Sequence, residues 1–510
     1  MKKRIFRNRK TRYAGISIAL SVLVIVVVVL VNSLFGSLAN RYQWYTEMNA
    51  AANYDVTGIC YSLLDRAFSD ENSNRREDKV RILFCDSESV WEEDYTQSFL
   101  YHTAKSIDDK YDNVEVEFHN IKLDPDSVRE YAKDPDTNEP IVLDEAGVII
   151  VCGSYHRFYT LEEFFVFSDE TDGTIWGYRG ERTLAAGILR ALDPNPKTAC
   201  LTANHGEIFY DYELIFLLDA AGYNIQSSFD LAKEDIPDDC TLIITSNPNS
   251  DIDVSEGIAE DQKLDAFLSK DGNSYLVFIE NGTPKLSNLE KYLEGWGVKT
   301  SYYQDSATGK NYRYTVQDTS NSLTSDGYTI YGELSTQEYV AKAFEGLNDN
   351  VVFKNATAMT HASDFAATGS GSYEKGNRTL YGIYESGENA VLWANGVARN
   401  GDDAMLMTLT EQKNATGGSS YVSVMSSVQF AEKDQIQTAV LSNADVLQRL
   451  FATVGQRFTT EGIPLKPFSS TNIGTITTAQ MLRWTICLTV IPAGVIALAG
   501  VVILARRRRF

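Results

Sequence analysis

The sequence lacks the short motifs that mark many enzyme families. It has no GxxxxGK[ST] loop, which argues against a P-loop ATPase. It also has no HExxH, no GxSxG and no GxGxxG opening a helix after a strand, which argues against zinc proteases, α/β-hydrolases and dinucleotide-binding enzymes. Only five histidines occur, none at a ligand spacing. We therefore expect a protein that is not an enzyme, with no catalytic residue, cofactor or metal.

Cysteine is also scarce, with six in 510 residues. Cys487 falls in a long apolar run near the end of the chain, and the other five form no CxxC pair. Neither a zinc site nor a thioredoxin-type redox motif is therefore expected. Cys85, Cys152 and Cys200 lie in or beside strand-like runs, where a thiol usually acts as a small hydrophobic group. The prediction is reduced, buried thiols.

Basic residues are few and unevenly placed. The chain has 46 Lys and Arg against 69 Asp and Glu, and 11 of the basic residues lie at its two ends. The long middle part therefore keeps 35 basic against 69 acidic residues, a net charge of −34. Such a charge repels nucleic acid and anionic lipid, so neither is expected as a partner.

Two uncharged apolar runs, residues 14–35 and 484–505, stand near the ends of the chain. As helices of 22 residues each they rise about 33 Å, at roughly 1.5 Å per residue, enough to cross a bilayer. Basic flanks favour the cytoplasmic side, so we expect a two-pass protein of the cell membrane with both termini cytoplasmic. A cleaved signal peptide ending near residues 37–39 is the alternative for the first run. Its length exceeds the ~7–15 apolar residues of a secretory signal.

The region between the two runs has an α/β pattern. Strand-like residues 80–85, helical residues 91–106 and strand-like residues 113–121 predict a βαβ unit with parallel strands. A hairpin is expected around Gly153-Ser154, and a helix over 181–192. After two prolines at 194 and 196, strands and helices alternate regularly from 198 to 300, which favours a doubly wound, flavodoxin-like sheet.

The predicted organisation has eight segments. They are a cytoplasmic tail (1–13), a transmembrane helix (14–35), a membrane-proximal collar (36–78), a first α/β module (79–193), a second α/β module (197–365), a C-terminal strand and helix region ending in an extended stalk (377–470, the stalk at 463–467), a second transmembrane helix (484–505) and a cytoplasmic tail (506–510).

The best candidate site follows the strand at 198–202. It consists of Thr202, Asn204, His205, Gly206 and Glu207, placed before a helix expected over 208–221. Ligands of open α/β sheets bind at this carboxyl edge, so His205 and Glu207 could bind or polarise a ligand. The structural alternative is that Asn204 or Glu207 caps the helix while Gly206 permits a turn.

Two other motifs are interpreted structurally. Cys152-Gly153-Ser154 lacks the spacing of a nucleophile elbow and is better explained by the hairpin. Residues 134–139 resemble a calcium loop, but they lack its glycine and are expected to be a solvated loop.

Several segments together resemble the auxiliary subunits of ABC transporters typified by the gliding-motility protein GldG. Residues 54–57 and 61–63 are similar to the D-L-T…Y-S-L element of that family, and residues 201–207 to its T-G-H-G-E element, with Ala203-Asn204 in place of Thr-Gly. Residues 236–248, 289–297 and 475–509 resemble its I-P-x-D…P stretch, a helix end and its C-terminal anchor.

The resemblance implies a thioredoxin-like first module without redox cysteines and a glutamine-amidotransferase-like second module without its nucleophile. It implies a non-catalytic role, in a hetero-oligomer with a separate ABC permease and ATPase, through an extracytoplasmic domain that binds a partner or substrate. Two alternatives stay open: an envelope hydrolase that uses His205 and Glu207, and a structural or sensory envelope protein.

Overall fold

The computed structural model describes residues 54–69, 79–133, 139–167, 174–209, 212–347, 350–401 and 404–468. One compact unit begins at Asp55, and of the preceding unit only Tyr54 is described. The two apolar runs, both tails and most of the collar lie outside these ranges. Within them, no helix has both the length and the apolar character needed to cross a membrane.

The first module is built on a four-stranded sheet with the order β2-β1-β3-β4. Its strands are β1 (Val80–Phe84), β2 (Val114–Phe118), β3 (Val148–Cys152) and β4 (Tyr155–Tyr159). Its helices are α1 (Gly58–Ser69), α2 (Glu88–Glu93), α3 (Gln97–Lys110) and, after β4 and a short sheet, α4 (Gly180–Leu192), with 3₁₀ turns at Pro125–Tyr131 and Leu161–Phe164. β1 and β2 are parallel, while β3 is antiparallel to both of its neighbours. The predicted βαβ unit and the hairpin at Gly153-Ser154 are confirmed.

Helix α4 is almost entirely buried, and Leu189 is its one partly exposed residue. Gly187 allows its close approach to the sheet, since a Cβ there would lie 2.3 Å from Ile150 Cδ1. Two strands, β5 (Phe165–Phe167) and β6 (Ile175–Tyr178), precede this helix and pair with each other.

The second module has four parallel strands in the order β8-β7-β9-β10. They are β7 (Thr198–Thr202), β8 (Asn224–Phe229), β9 (Cys240–Ser246) and β10 (Ser274–Phe278), connected through α5 (Glu213–Ala220) and α6 (Glu260–Leu268) and followed by α7 (Ser287–Gly295).

Short strands and one helix follow α7, between Val298 and Lys375. They are β11 (Val298–Thr300), β12 (Tyr302–Gln304), β13 (Asn311–Arg313), β14 (Thr315–Gln317), β15 (Thr329–Tyr331), β16 (Glu333–Leu334), β17 (Val352–Lys354), β18 (Met359–His361), β19 (Ala366–Ala367) and β20 (Tyr373–Lys375), with helix α8 (Glu338–Ala343) between β16 and β17. The chain continues through β21 (Arg378–Glu385), β22 (Val391–Ala394), β23 (Val397–Asn400), β24 (Met405–Lys413), β25 (Ser419–Met425), a 3₁₀ turn (Val428–Ala431), α9 (Lys433–Ile436), α10 (Asn443–Thr453) and β26 (Lys466–Pro467).

The segments 197–365 and 377–470 share one sheet. Strand β25 lies parallel to β10, and β24 and β21 extend the sheet beyond it as antiparallel strands. β25 is buried along most of its length. A strand buried on both faces is typical of a parallel sheet, which agrees with its position beside β10. The predicted division at residue 377 therefore does not separate two sheets, and the architecture is mixed α/β with parallel and antiparallel strands.

The predicted stalk at 463–467 is extended, but it packs against the first module. β26 pairs with β6, Ile463 is fully buried and Lys466 is 8% exposed. The sequence pattern did not indicate this packing, because the buried partners of this segment lie far away in the sequence.

Candidate functional site

The loop predicted as a site lies at the carboxyl edge of the large sheet, between β7 and β9. The connection from β7 leads to one neighbour, β8, and the following strand β9 lies on its other side. In open α/β sheets ligands bind at such a point of reversed strand order. The loop thus occupies the expected ligand position of this fold.

The helix after the loop begins at Glu213 rather than at residue 208. Asn204 and Glu207 are therefore too far away to cap it, and the capping alternative was wrong. The turn itself is sharp, with φ of 80° at Asn204 and 71° at Gly206. Asparagine tolerates this left-handed region better than most residues, which explains how Asn204 can occupy this turn.

His205 lies between two carboxylates. Its Nδ1 is 3.2 Å from Glu207 Oε1, and its Nε2 is 3.1 Å from Glu260 Oε2. The side chains are 10%, 3% and 0% exposed for His205, Glu207 and Glu260. We call these three residues the His205 cluster.

Electrostatics keep His205 protonated. Hydrogen bonds to Glu207 and Glu260 raise its pKa to about 10 against the opposing effect of burial. Burial raises the pKa of Glu207, but hydrogen bonds from His205 and Thr202 outweigh this and leave that pKa below its usual value. At neutral pH both ring nitrogens carry protons that point to carboxylates, so His205 has no lone pair with which to act as a base.

The backbone of the loop is fixed as firmly as its side chains. The N–H groups of Asn249 and Ser250 donate to the carbonyl of His205 at 2.7 and 2.8 Å, and Asn249 Nδ2 donates to the carbonyl of Gly206. The His205 cluster thus occupies the position at the carboxyl edge of the sheet where a ligand would be expected to bind.

Of the five predicted site residues, the structure brings Thr202, His205, Gly206 and Glu207 together. Thr202 bonds to the hydroxyl of Thr245 and to Glu207, while Asn204 interacts with Asp230, away from the cluster. Sequence reasoning missed Glu260. An acidic residue at the start of a helix is usually explained by the helix dipole, so its sequence position gives no hint of a buried partner.

A second candidate site is a cleft of about 500 Å³ between the two modules, which we call the arginine cleft. It lies where strand β4, at the edge of the first sheet, faces helix α5 and the start of β8. Its lining residues are Ile141, Tyr155, His156, Arg157, Phe158, Glu163, Arg179, Arg190, Tyr212, Glu213, Ile215, Phe216, Asp219, Tyr223, Asn224 and Ile225. No local motif marks it, because Arg157 lies on β4, Arg179 directly before α4 and Arg190 near the end of α4.

A third polar cluster, which we call the terminal clasp, joins the start and the end of the described chain. Glu181 Oε1 accepts hydrogen bonds from the backbone N–H and the hydroxyl of Thr57, at 2.8 and 2.5 Å. Lys466 Nζ lies 2.6 Å from Glu181 Oε2 and donates to the carbonyl of Asp55, also at 2.6 Å. Glu181 is 1% exposed, so the clasp is a buried ion pair.

The described ranges contain neither a candidate metal cluster nor a disulfide. No group of three or more His, Cys, Asp or Glu residues there could hold a metal ion. The cysteines in those ranges, namely Cys60, Cys85, Cys152, Cys200 and Cys240, are all buried thiols outside any disulfide.

Comparison with known proteins gives little guidance. No protein-family model and no curated protein sequence matches the chain. Among solved structures, one described as "mmIFT52 N-terminal domain" aligns with 50% of this chain and 97% of its own, at 14% sequence identity and a TM-score of 0.36. A similarity this weak establishes neither a shared fold nor a shared function.

Proposed function

We propose that this protein is a non-catalytic auxiliary component of an ABC-type transport system, anchored in the cell membrane by residues 14–35 and 484–505. Its α/β region lies outside the cytoplasm and binds a partner or substrate. The partners are an ABC permease and its ATPase, in a GldG-like hetero-oligomer.

The observation that carries this proposal is the terminal clasp. Asp55 and Lys466 are in direct contact, so the chain enters and leaves the folded region at one place. Residues 36–53 and 469–483 connect that place to the two apolar runs. Because these two connecting segments leave the folded region at the same place and are similar in length, both apolar runs can reach the same membrane.

The strand orders support the finer fold assignment. A βαβ unit followed by an antiparallel hairpin and a covering helix is the arrangement expected of a thioredoxin-like module. In the second module the order β8-β7-β9-β10-β25, all parallel, is the flavodoxin-like order 2-1-3-4-5. We therefore propose thioredoxin-like and flavodoxin- or amidotransferase-like modules.

The His205 cluster supports a non-catalytic role. A glycoside hydrolase needs two carboxylates facing a sugar in an open cleft, one of them able to donate a proton. Here the two carboxylates are buried and face a histidine cation instead, so the geometry does not favour the hydrolase alternative.

The test is co-purification of the full-length protein after extraction in a mild detergent, followed by mass spectrometry. We expect a multispan permease and an ATPase to be recovered with it. A matched control that lacks residues 484–510 should lose much of this recovery, because one anchor is removed. Recovery of the full-length protein alone would contradict the proposal.

A further inference from the structure

We propose that the arginine cleft binds a small organic anion, with Arg190 as the residue that holds its anionic group. This site is separate from the His205 cluster, and its ligand does not depend on the transport role proposed above.

Arg190 differs from the other two arginines of the cleft. Arg157 pairs with Asp219, and Arg179 lies 3.6 Å from Glu213. Arg190 is 6% exposed, and among the described residues it has no carboxylate partner within 4.0 Å. Its Nη1 donates to the carbonyl of Gly222 at 2.8 Å, but its Nε has no hydrogen-bond partner in that part of the chain.

A buried guanidinium without a counter-charge is unfavourable, because it has lost its hydration without gaining an opposite charge. The Tyr155 hydroxyl, which interacts with Arg190, offers only a neutral acceptor. A bound anion would supply the missing charge, and the planar fork of arginine matches the oxygens of both carboxylates and phosphates. We therefore expect one anionic group of the ligand to bind at Arg190.

The other lining residues and the volume of the cleft indicate what the non-anionic part of the ligand should be. Tyr155, Phe158, Phe216 and Tyr223 give it aromatic walls. Its volume of about 500 Å³ exceeds that of a single inorganic ion and lies within the range of small-molecule sites. An apolar or ring-containing body attached to the anionic group fits this surface.

The acidic residues of the cleft limit the charge of the ligand. Glu163, Glu213 and Asp219 also line it, and they would repel a polyanion. Burial raises the pKa of the Glu163 carboxyl, which reduces this repulsion at mildly acidic pH. The expected ligand thus has one anionic group rather than several.

Calorimetric titration of the full-length protein in detergent at neutral pH tests the proposal. The probes are benzoate, phenyl phosphate, inorganic phosphate and benzyl alcohol. We expect one or both aromatic anions to bind with a Kd below about 1 mM, and the other two probes to bind more weakly. Preference for benzoate identifies a carboxylate ligand, and preference for phenyl phosphate identifies a phosphate ester.

Variants connect binding to Arg190. Arg190→Met should weaken binding about tenfold or more, because a charge-assisted hydrogen bond is lost. Arg129→Met, at a surface arginine 80% exposed, should leave it unchanged. If Arg190→Met does not fold, Arg190→Lys provides the same test with a smaller expected loss. Absence of aromatic-anion binding in the wild type, or equal binding in a folded Arg190 variant, would overturn the proposal.

Discussion

Single side chains decide what the candidate sites can do. A histidine at the carboxyl edge of a parallel sheet could be a ligand or a base, and its neighbours determine which. Glu207 and Glu260 hold His205 as a cation, and together the three carry one net negative charge in a buried setting. Removing the charge of one partner leaves the charge of another buried and unpaired, which is destabilising.

The stability of the protein should fall in alkaline solution through His205. Its pKa is raised from 6.5 to about 10, so its contribution is complete below pH 6.5 and is lost as the pH rises to about 10. His205→Gln should remove on the order of 3 kcal/mol from the free energy of unfolding at pH 7 and flatten this decline. Urea unfolding of the full-length protein between pH 7 and 10 measures both effects.

His361→Gln is the matched control, since His361 stacks on Tyr373 with ring centroids 4.0 Å apart. That variant should keep the wild-type decline. A His205→Gln protein that declines as steeply as the wild type would show that another group causes it.

The terminal clasp should behave as a buried ion pair. Glu181→Gln leaves Lys466 buried without a counter-charge and should destabilise the protein by about 3–5 kcal/mol. Adding Lys466→Met should recover most of this loss, because the uncompensated charge is removed. Denaturant unfolding of both single variants and the double variant gives the coupling energy.

Asp126→Asn breaks a surface pair with Arg129 in which both side chains are at least 78% exposed. This control should change stability by less than about 1 kcal/mol. An effect of Glu181→Gln no larger than that of Asp126→Asn would contradict the clasp.

The bounds of regular helices and strands were predicted closely from the local sequence pattern. The helix over 181–192 is found at Gly180–Leu192, and the strand over 198–202 at Thr198–Thr202. The two prolines at 194 and 196 mark the boundary between these elements, because proline and the residue before it disfavour a helix.

Three features could not be predicted from the local sequence, because a distant segment of the chain decides each of them. The helix after β7 starts five residues late, at Glu213, because residues 205–208 are instead bonded to the loop after β9. The stalk at 463–467 is packed because Lys466 meets Glu181. The arginine cleft exists only once the two modules meet. Long-range partners of this kind leave no periodic trace in a sequence.

Helix α4 should be sensitive to one added methyl group. Gly187→Ala would place a Cβ 2.3 Å from Ile150 Cδ1 and 3.1 Å from Tyr159 Oη, so the sheet or the helix must shift. We expect a loss of about 1–3 kcal/mol from overpacking, which exceeds the gain of up to about 1 kcal/mol from better helix propensity. Thermal unfolding measures the net effect.

Gly58→Ala is the control, because a Cβ at this first residue of α1 meets nothing within 4 Å. It should be neutral or slightly stabilising. A Gly187→Ala protein as stable as the Gly58→Ala protein would show that α4 has room to move.

The terminal clasp holds Asp55 and Lys466 together, and the proposed membrane topology can be tested with few changes. The described cysteines are buried. At Cys85, burial raises the pKa of the thiol to about 12. Thiolates are the reactive form, so these native thiols should label slowly with a maleimide. An introduced, exposed cysteine can then report its own location.

We expect Ser370→Cys to react with a membrane-impermeant maleimide in intact spheroplasts, because Ser370 is exposed in the part of the chain proposed to lie outside. Asn8→Cys, which keeps every positive charge of the first tail, should react only after the membrane is permeabilised. The unmodified protein sets the background for both. The reverse pattern would place the acidic, folded region in the cytoplasm, where the proposed extracytoplasmic role could not be performed.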